Sequence, residues 1–223
     1  MKKSILFIFL LAIAFSCKTE KKDVAQEPVK ELSILEKIAY AHGYEQWKNV
    51  NEIQFTFNVN RDSASHYERN WTWNPKTNDV TLKTAQDTIS YNRQQLDSTN
   101  TAANGGFIND KYWLIAPFNL VWDKNITHEH SEESEAPISK QKMQKLTIVY
   151  SDEGGYTPGD AYDFYFGDDY IIKEWVFRKG NAEAPSLTTT WEDYETYNGL
   201  KIAKVHKRDS GSWKLFFTDV VVK

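Results

Sequence analysis

The feature that most limits the fold of this chain is a strict period-two alternation that begins at residue 53. Across residues 53–59, Ile, Phe, Phe and Val alternate with polar residues, which is typical of a strand with one face in the core and the other in water. Similar short runs recur towards the C-terminus, and the turn Asn198-Gly199 suits the two positive φ angles of a type I′ hairpin. The pattern predicts a mainly β protein with a few helices, in which about nine or ten strands form an antiparallel sheet.

A helix is expected before the first strand. Residues 31–42 carry apolar side chains at three- and four-residue spacing, which predicts an amphipathic helix. Ser33 and Glu36 have the spacing of a capping box, and Gly43 is placed to end the helix. We therefore expect the folded part of the chain to open with one short helix.

Two central segments break the alternation. Residues 102–123 are apolar and aromatic and contain Pro117, so we expect an irregular or helical insertion that packs over the sheet. Residues 125–141 are polar and acidic, and we expect an exposed loop. This loop contains His128-Glu129-His130, but a catalytic zinc helix needs His-Glu-x-x-His, and the segment has no strand character. We therefore predict no metal site.

The N-terminus carries the features of an export signal. A basic start is followed by the apolar run 4–15, which is too short to span a bilayer as a helix but fits a signal-peptide core. A small residue precedes Cys17, as in the lipobox of bacterial lipoproteins; an ordinary secretory signal with an incidental cysteine is the alternative. The predicted organisation is a signal peptide at 1–16, a lipidated Cys17 with a flexible tether over 17–30, and a single domain over 31–223.

The cysteine count and the charge restrict the chemistry further. The chain has one cysteine, so an exported form cannot contain an internal disulfide and depends on its core for stability. The net charge of −4 argues against nucleic acid as a partner, because phosphate binding needs a basic face. The basic start of the tether favours the periplasmic face over surface export.

Three stretches of the chain carry a resemblance to a known family. They are a helix followed by His42-Gly43, Trp47 and the strand at 53–59; the segment Tyr112-Trp113-Leu114 with Pro117-Phe118 and Leu120; and the closing strands at 194–202 and 213–221. Over most of residues 31–223 the sequence resembles the lipoprotein-localisation-factor superfamily. Its similar members are small outer-membrane lipoprotein-sorting-like proteins of Gram-negative bacteria.

The resemblance implies both a fold and a function. The implied fold is an incomplete antiparallel β-barrel, with helices covering the open concave side and an apolar cavity between. In that superfamily the soluble carrier takes up the acyl chains of a lipoprotein in transit, and the membrane-anchored receptor accepts them in a similar cavity. The lipobox favours a receptor-like or other solute-binding role for this chain. We expect a lipid-anchored protein of the cell envelope, on the outer membrane and facing the periplasm, with Cys17 as its membrane contact.

Aromatic side chains are the candidates for a ligand site. The predicted lining residues of the concave face are Phe55, Phe57, Trp71, Trp73, Tyr162, Phe164 and Phe166, with Trp113 and Phe118 of the central segment packing over them. Such a site needs no polar anchor, because each buried methylene of an acyl chain contributes about 0.8 kcal/mol. The alternative is that these side chains simply fill the core.

No catalytic motif is present in the sequence. The chain has no Gly-x-Ser-x-Gly elbow and no phosphate-binding loop, and Asp163, Asp168 and Asp169 lie where solvated carboxylates are common. We therefore predict a protein that is not an enzyme and holds no cofactor. Three functions stay open: a membrane-tethered module that binds an acyl chain or a lipoprotein, a structural or interaction lipoprotein with a filled core, and an envelope hydrolase.

Overall fold

A computed structural model describes residues 31–62, 64–153 and 156–223. The predicted signal peptide, the lipidated Cys17 and the tether lie outside the described residues. Residues 32–223 form one compact unit. None of the helices in the described ranges has the length and apolarity that a membrane crossing requires.

The first helix, α1 (Ile34–Ala41), begins and ends where the sequence predicts. The Ser33 side chain accepts a hydrogen bond from the Glu36 backbone, and the Glu36 carboxylate accepts one from the Ser33 backbone, so the capping box is confirmed. The helix ends at Gly43, which has a φ of 90° and leads into a 3₁₀ turn at Tyr44–Asn49. A Cβ on Gly43 would lie 2.0 Å from the carbonyl oxygen of Gly199, so the helix end can approach the β-hairpin this closely only because it is glycine.

The described ranges contain twelve strands and one further α-helix. In chain order they are β1 (Ile53–Asn60), β2 (His66–Asn74), β3 (Asp79–Lys83), β4 (Thr88–Asn92), α2 (Thr101–Trp122), β5 (Ile126–Glu135), β6 (Lys142–Tyr150), β7 (Ala161–Phe166), β8 (Ile172–Arg178), β9 (Leu187–Thr190), β10 (Glu192–Tyr197), β11 (Leu200–Lys207) and β12 (Lys214–Val222). A second 3₁₀ turn, Lys179–Asn181, follows β8. All strand pairs are antiparallel, in a seven-stranded sheet ordered β10-β11-β12-β1-β2-β3-β4 and a five-stranded sheet ordered β5-β6-β7-β8-β9.

The two sheets are joined where β9 runs through Trp191 into β10. Beside this junction the Lys207 backbone donates to Thr190 Oγ1 at 3.1 Å, and His206 Nδ1 lies 3.2 Å from the Thr190 carbonyl oxygen. The chain therefore crosses from one sheet to the other as a bent strand shared with β11. The outer strands β4 and β5 are not paired with each other, so the predicted incomplete barrel is confirmed.

The prediction of an exposed loop at 125–141 is wrong, because most of this segment is the ten-residue strand β5. Its acidic side chains are exposed and it pairs only with β6, and charged residues on an edge strand discourage pairing with other chains. His130 stacks on Phe166 with ring centroids 6.1 Å apart and lies 3.0 Å from Gln144 Oε1. No group of three potential metal ligands occurs in the described ranges. With β9, this strand raises the total from the predicted nine or ten to twelve.

The expectation of one solvated face on β1 is also only partly right. Thr56 and Asn58, on the face opposite the phenylalanines, are both 4% exposed. Thr56 Oγ1 lies 2.6 Å from Asn70 Oδ1 and 2.9 Å from Asp219 Oδ2, and Asn58 donates to Thr218 at 3.2 Å. Polar side chains of the neighbouring strands therefore bury Thr56 and Asn58 by hydrogen bonding, so this face is covered but polar.

Helix α2 lies in the core, as predicted for the central segment. It has buried residues along most of its length, and they share one apolar cluster with residues of both sheets. Its backbone departs from helical geometry at Ile115 (φ −137°, ψ 32°), two residues before Pro117. Proline removes a backbone donor and crowds the preceding turn, so α2 is two helical segments joined at a break.

Candidate functional site

The nine predicted lining residues come together in a single apolar cluster. All are at most 8% exposed: Phe55, Phe57, Trp71, Trp73, Trp113, Phe118, Tyr162, Phe164 and Phe166. In the register of β1 and β2, Phe55 lies opposite Trp71 and Ile53 opposite Trp73. Their assignment to a ligand site stays a prediction.

Side chains of α2 occupy the space in front of these residues. The Phe107 ring is 5.4 Å from the rings of both Trp71 and Trp73. Further along the helix, the Phe118 ring is 5.7 Å from that of Trp47, which follows α1. The helix therefore packs its own aromatic side chains where an acyl chain would lie, and a ligand on this face must take their place.

A buried ion pair fixes α2 to the seven-stranded sheet. Asp110 is fully buried and accepts from Arg69 Nε at 2.7 Å and Nη2 at 2.5 Å, and from Trp71 Nε1 at 2.7 Å. One turn earlier, a Cβ on Gly106 would lie 2.7 Å from Arg69 Nη1, so glycine leaves room for the guanidinium. This pair is not predictable from the sequence, because its members are 41 residues apart and no local pattern links them.

Several buried polar atoms in the core have no hydrogen-bond partner among the described residues. They are Trp73 Nε1, Tyr91 OH, Trp175 Nε1, Thr189 Oγ1, Trp191 Nε1 and His206 Nε2. Most buried polar groups in native proteins are hydrogen-bonded, so each exception calls for a physical explanation.

Three of these atoms belong to the rings of Trp175, Trp191 and His206, which pack against one another and, for two of them, against Trp113. Trp113 lies 4.4 Å from Trp175 and 5.2 Å from His206, and Trp191 lies 5.4 Å and 4.6 Å from the same two rings. Burial lowers the pKa of His206 to about 3, so its imidazole is neutral. With Nδ1 facing the Thr190 carbonyl, the Nδ1–H donates and Nε2 is left as an acceptor. This ring cluster therefore offers two indole donors and one imidazole acceptor inside an apolar wall.

A separate cavity of about 340 Å³ lies between the end of β4, helix α2 and the end of β6. None of the nine predicted residues lines it. Its polar lining includes Arg93, Lys111, Asn119, Asp123, Tyr150 and Tyr156. Lys111 lies within an apolar run of the sequence, so no local pattern marks it as a site residue.

The architecture is an open antiparallel half-barrel that holds a broken apolar helix. A LolA superfamily protein from Nitrosomonas europaea is similar in structure, with a TM-score of 0.51 and 9% identity over 85% of this chain and 92% of that one. At this identity the likeness shows the fold alone, and it confirms the fold that the family resemblance predicted.

Two other crystal structures overlap similarly in extent. An outer membrane lipoprotein-sorting protein domain from Vibrio parahaemolyticus gives a TM-score of 0.45 and 11% identity, over 85% of this chain and 93% of that one. A DUF1329 family protein from Desulfovibrio piger gives 0.44 and 10%, over 84% and 92%. No protein-family model matches the sequence, and no curated protein matches it significantly.

Proposed function

We propose that this protein is a lipid-anchored component of the cell envelope, held on the outer membrane by Cys17 and facing the periplasm. Its domain binds an acyl chain, free or carried by a lipoprotein, or another apolar molecule against the concave face of the half-barrel. The binding is non-catalytic. The fold supports this proposal at the level of architecture, and the single observation that carries it is the unsatisfied ring cluster around Trp113.

The ring cluster supports a ligand because a finished core rarely leaves polar atoms unpaired. Indole N–H groups of Trp175 and Trp191 are donors, and Nε2 of His206 is an acceptor. An ester carbonyl can accept from the two indoles, and a secondary amide or a carboxylic acid can in addition donate to Nε2. The chain attached to such a group would then lie along the aromatic face of β1 and β2.

The energetics require α2 to move when the ligand enters. A dozen buried methylenes contribute on the order of 10 kcal/mol before the entropic costs of binding are subtracted. The ligand must replace contacts that Phe107 and Phe118 make in the closed form, so the net gain is smaller. The break before Pro117 gives α2 a place to bend while each half keeps its helical hydrogen bonds.

The second candidate is a structural or interaction lipoprotein with a filled core. The close packing of Phe107 against Trp71 and Trp73 favours it, because the concave face is already covered in the closed form. The two candidates differ in whether that covering can be exchanged for a lipid.

Lipid binding by the unlipidated chain 18–223 separates the candidates. Native mass spectrometry should detect co-purified lipid, and after lipid removal the protein should bind palmitate. Phe57→Ala should weaken palmitate binding and cost less than the roughly 3–5 kcal/mol typical of a packed phenylalanine, because it shortens a wall that can rearrange. Tyr67→Ala is the matched control, since Tyr67 lies on the same face of the neighbouring strand but is 43% exposed.

The opposite result would favour the filled core. In that case the parent protein carries no lipid and binds no palmitate. The Phe57→Ala variant then loses the full stabilisation expected of a buried phenylalanine. In that case the unpaired ring atoms would have to be explained by contacts with neighbouring aromatic faces.

A further inference from the structure

The 340 Å³ cavity contains a buried lysine with almost no polar partners. Lys111 is 7% exposed, and its Nζ donates to Asn119 Oδ1 at 3.3 Å. The ammonium also lies 5.5 Å from the centre of the Trp122 ring, which stabilises it weakly. An ammonium has three donors, and one amide acceptor together with a ring face leaves it under-satisfied.

A second cation lines the same cavity. Arg93 is half-buried, donates from Nε to Asn104 Oδ1 at 3.3 Å, and lies 5.4 Å from the centre of the Phe107 ring. Within the part of the chain that the structure describes, the ion pairs include neither Arg93 nor Lys111. Burial lowers the pKa of Arg93, and it lowers that of Lys111 to about 8 although the charge of Asp123 acts in the opposite direction.

The carboxylates that line the cavity do not form an ion pair with Lys111 or Arg93. Asp123 accepts from Asn119 Nδ2 at 3.0 and 2.9 Å and from the Tyr150 hydroxyl at 2.6 Å, and its charge offsets the burial of Lys111 only in part. Glu153 is exposed to solvent, as is Lys124 on the rim. The cavity therefore holds three cations against two carboxylates, and its most buried charge is positive.

We propose that this cavity is an anion-binding site that takes one carboxylate or phosphate group between Lys111 and Arg93. A buried cation is costly unless a counter-charge and hydrogen bonds compensate it, and Asp123 and Asn119 compensate Lys111 only in part, so a bound anion would supply the rest. The cavity volume lies at the lower end of the roughly 300–1,000 Å³ typical of ligand pockets. The anion is a free small anion or the head group of an amphiphile.

The anion site is formed by residues outside the proposed acyl-chain site, and binding of an acyl chain does not depend on it. It lies beside Phe107, whose ring is near both Arg93 and the tryptophans of β2. A head group held here would place an attached chain next to the aromatic face.

Calorimetric titration of the chain 18–223 with inorganic phosphate, palmitate and methyl palmitate tests the site. Lys111→Met and Arg93→Gln should each weaken binding of the anionic ligands at least about tenfold, the loss typical of a charged hydrogen bond. Lys83→Met, an exposed lysine on β3, is the matched control and should leave all affinities unchanged. Arg93→Gln keeps the test valid if Lys111→Met does not fold.

The pattern of losses identifies the source of the anion. Phosphate binding that depends on Lys111, without palmitate binding, supports a site for a free anion and contradicts the apolar ligand. Palmitate binding that depends on Lys111, with methyl palmitate unaffected, supports a head-group site. If the parent binds no anion, or if both variants bind phosphate and palmitate as the parent does, the anion site is wrong. Equal binding of palmitate and methyl palmitate by parent and Lys111→Met would overturn the anion site and keep the apolar ligand.

Discussion

At the scale of single residues, the buried polar groups set the chemistry of this protein. His42 and His206 are both almost completely buried, and each lies against aromatic rings. Burial lowers the pKa of His42 to about 4 and that of His206 to about 3, from an ordinary value of 6.5. Both histidines are therefore neutral in the folded protein at neutral pH, and acid must destabilise the fold.

The sign of this pH dependence follows from proton binding. Between pH 6.5 and 4 the unfolded chain protonates these histidines and the folded chain does not, so the free energy of unfolding falls as the pH falls through this window. Each pKa unit is worth about 1.4 kcal/mol, so His206 should contribute a loss of about 3 kcal/mol between pH 7 and 4.5.

Urea unfolding of His206→Leu at the two pH values measures this contribution. The variant should lose about 3 kcal/mol less than the parent between pH 7 and 4.5. His66→Gln, at an exposed histidine on β2, should behave like the parent. Equal acid destabilisation of the parent and His206→Leu would show that His206 does not titrate as a buried neutral group.

Some residues of the candidate sites could be predicted from the sequence and others could not. Phe55 and Phe57 were predictable because alternation marks one face of a strand, whatever that face packs against. Lys111 and Asp110 were not, because a charged residue in an apolar helix gains its meaning from partners that lie far away along the chain. A buried strand face can line a ligand cavity or pack against a filled core. Which of the two it does depends on side chains from another element, and the alternation of residues along the strand contains no information about them.

At the scale of elements, α2 covers the concave face of the half-barrel with its own aromatic side chains. The Arg69–Asp110 pair ties its first segment to β2, while its second segment is held mainly by aromatic packing. We expect Asp110→Asn to cost about 3 kcal/mol, because it leaves the Arg69 charge without its partner. Hydrogen exchange within α2 should then accelerate more than exchange in the sheets, since the loss falls on the contact that positions the helix.

An ion pair elsewhere in the molecule gives the matched control. Arg178 donates from Nε to Asp163 at 3.0 Å between β8 and β7, and both side chains are mostly buried. Asp163→Asn should lower stability in a similar way without a selective effect on α2. Hydrogen exchange measured by mass spectrometry compares the two variants, and equal acceleration of α2 in both would show that the Arg69–Asp110 pair is not a specific attachment of the helix.

Prediction of the elements succeeded where their pattern is local. The capping box at Ser33 and the Asn198-Gly199 turn each depend on neighbouring residues, and each was predictable. The burial of the central segment also followed from its apolar character, but its sequence left helical and irregular structure open. Strand β5 was not, because its sequence is that of a charged edge whose extended backbone is held by pairing with β6. Strand β9 is only four residues long and gains its place from β8.

At the scale of the whole molecule, the half-barrel followed from the family resemblance rather than from alternation. Alternation predicts antiparallel strands, but the bend at Trp191 and the separation of β4 from β5 depend on how the strands associate in space. The same holds for the position of α2, whose apolar character predicts burial without saying which face of the sheet it covers. The aromatic residues were therefore predictable as buried, and their arrangement around α2 was not.

The proposed location of the whole molecule rests on the lipidation of Cys17. It is the chain's single cysteine and follows an apolar run with the length of a signal-peptide core, so a thiol at this position has no disulfide partner within the chain. Cys17→Ser should abolish incorporation of an alkyne-tagged palmitate analogue and release the exported protein from the membrane fraction. One acyl chain holds a protein only marginally on a bilayer, so stable retention of the parent requires the multiple acylation of a lipoprotein.

The free energy of unfolding should be unchanged by a reducing agent in both the parent and the Cys17→Ser protein, because the fold contains no disulfide to reduce. Tagged lipid on the Cys17→Ser protein would show that the membrane anchor lies elsewhere.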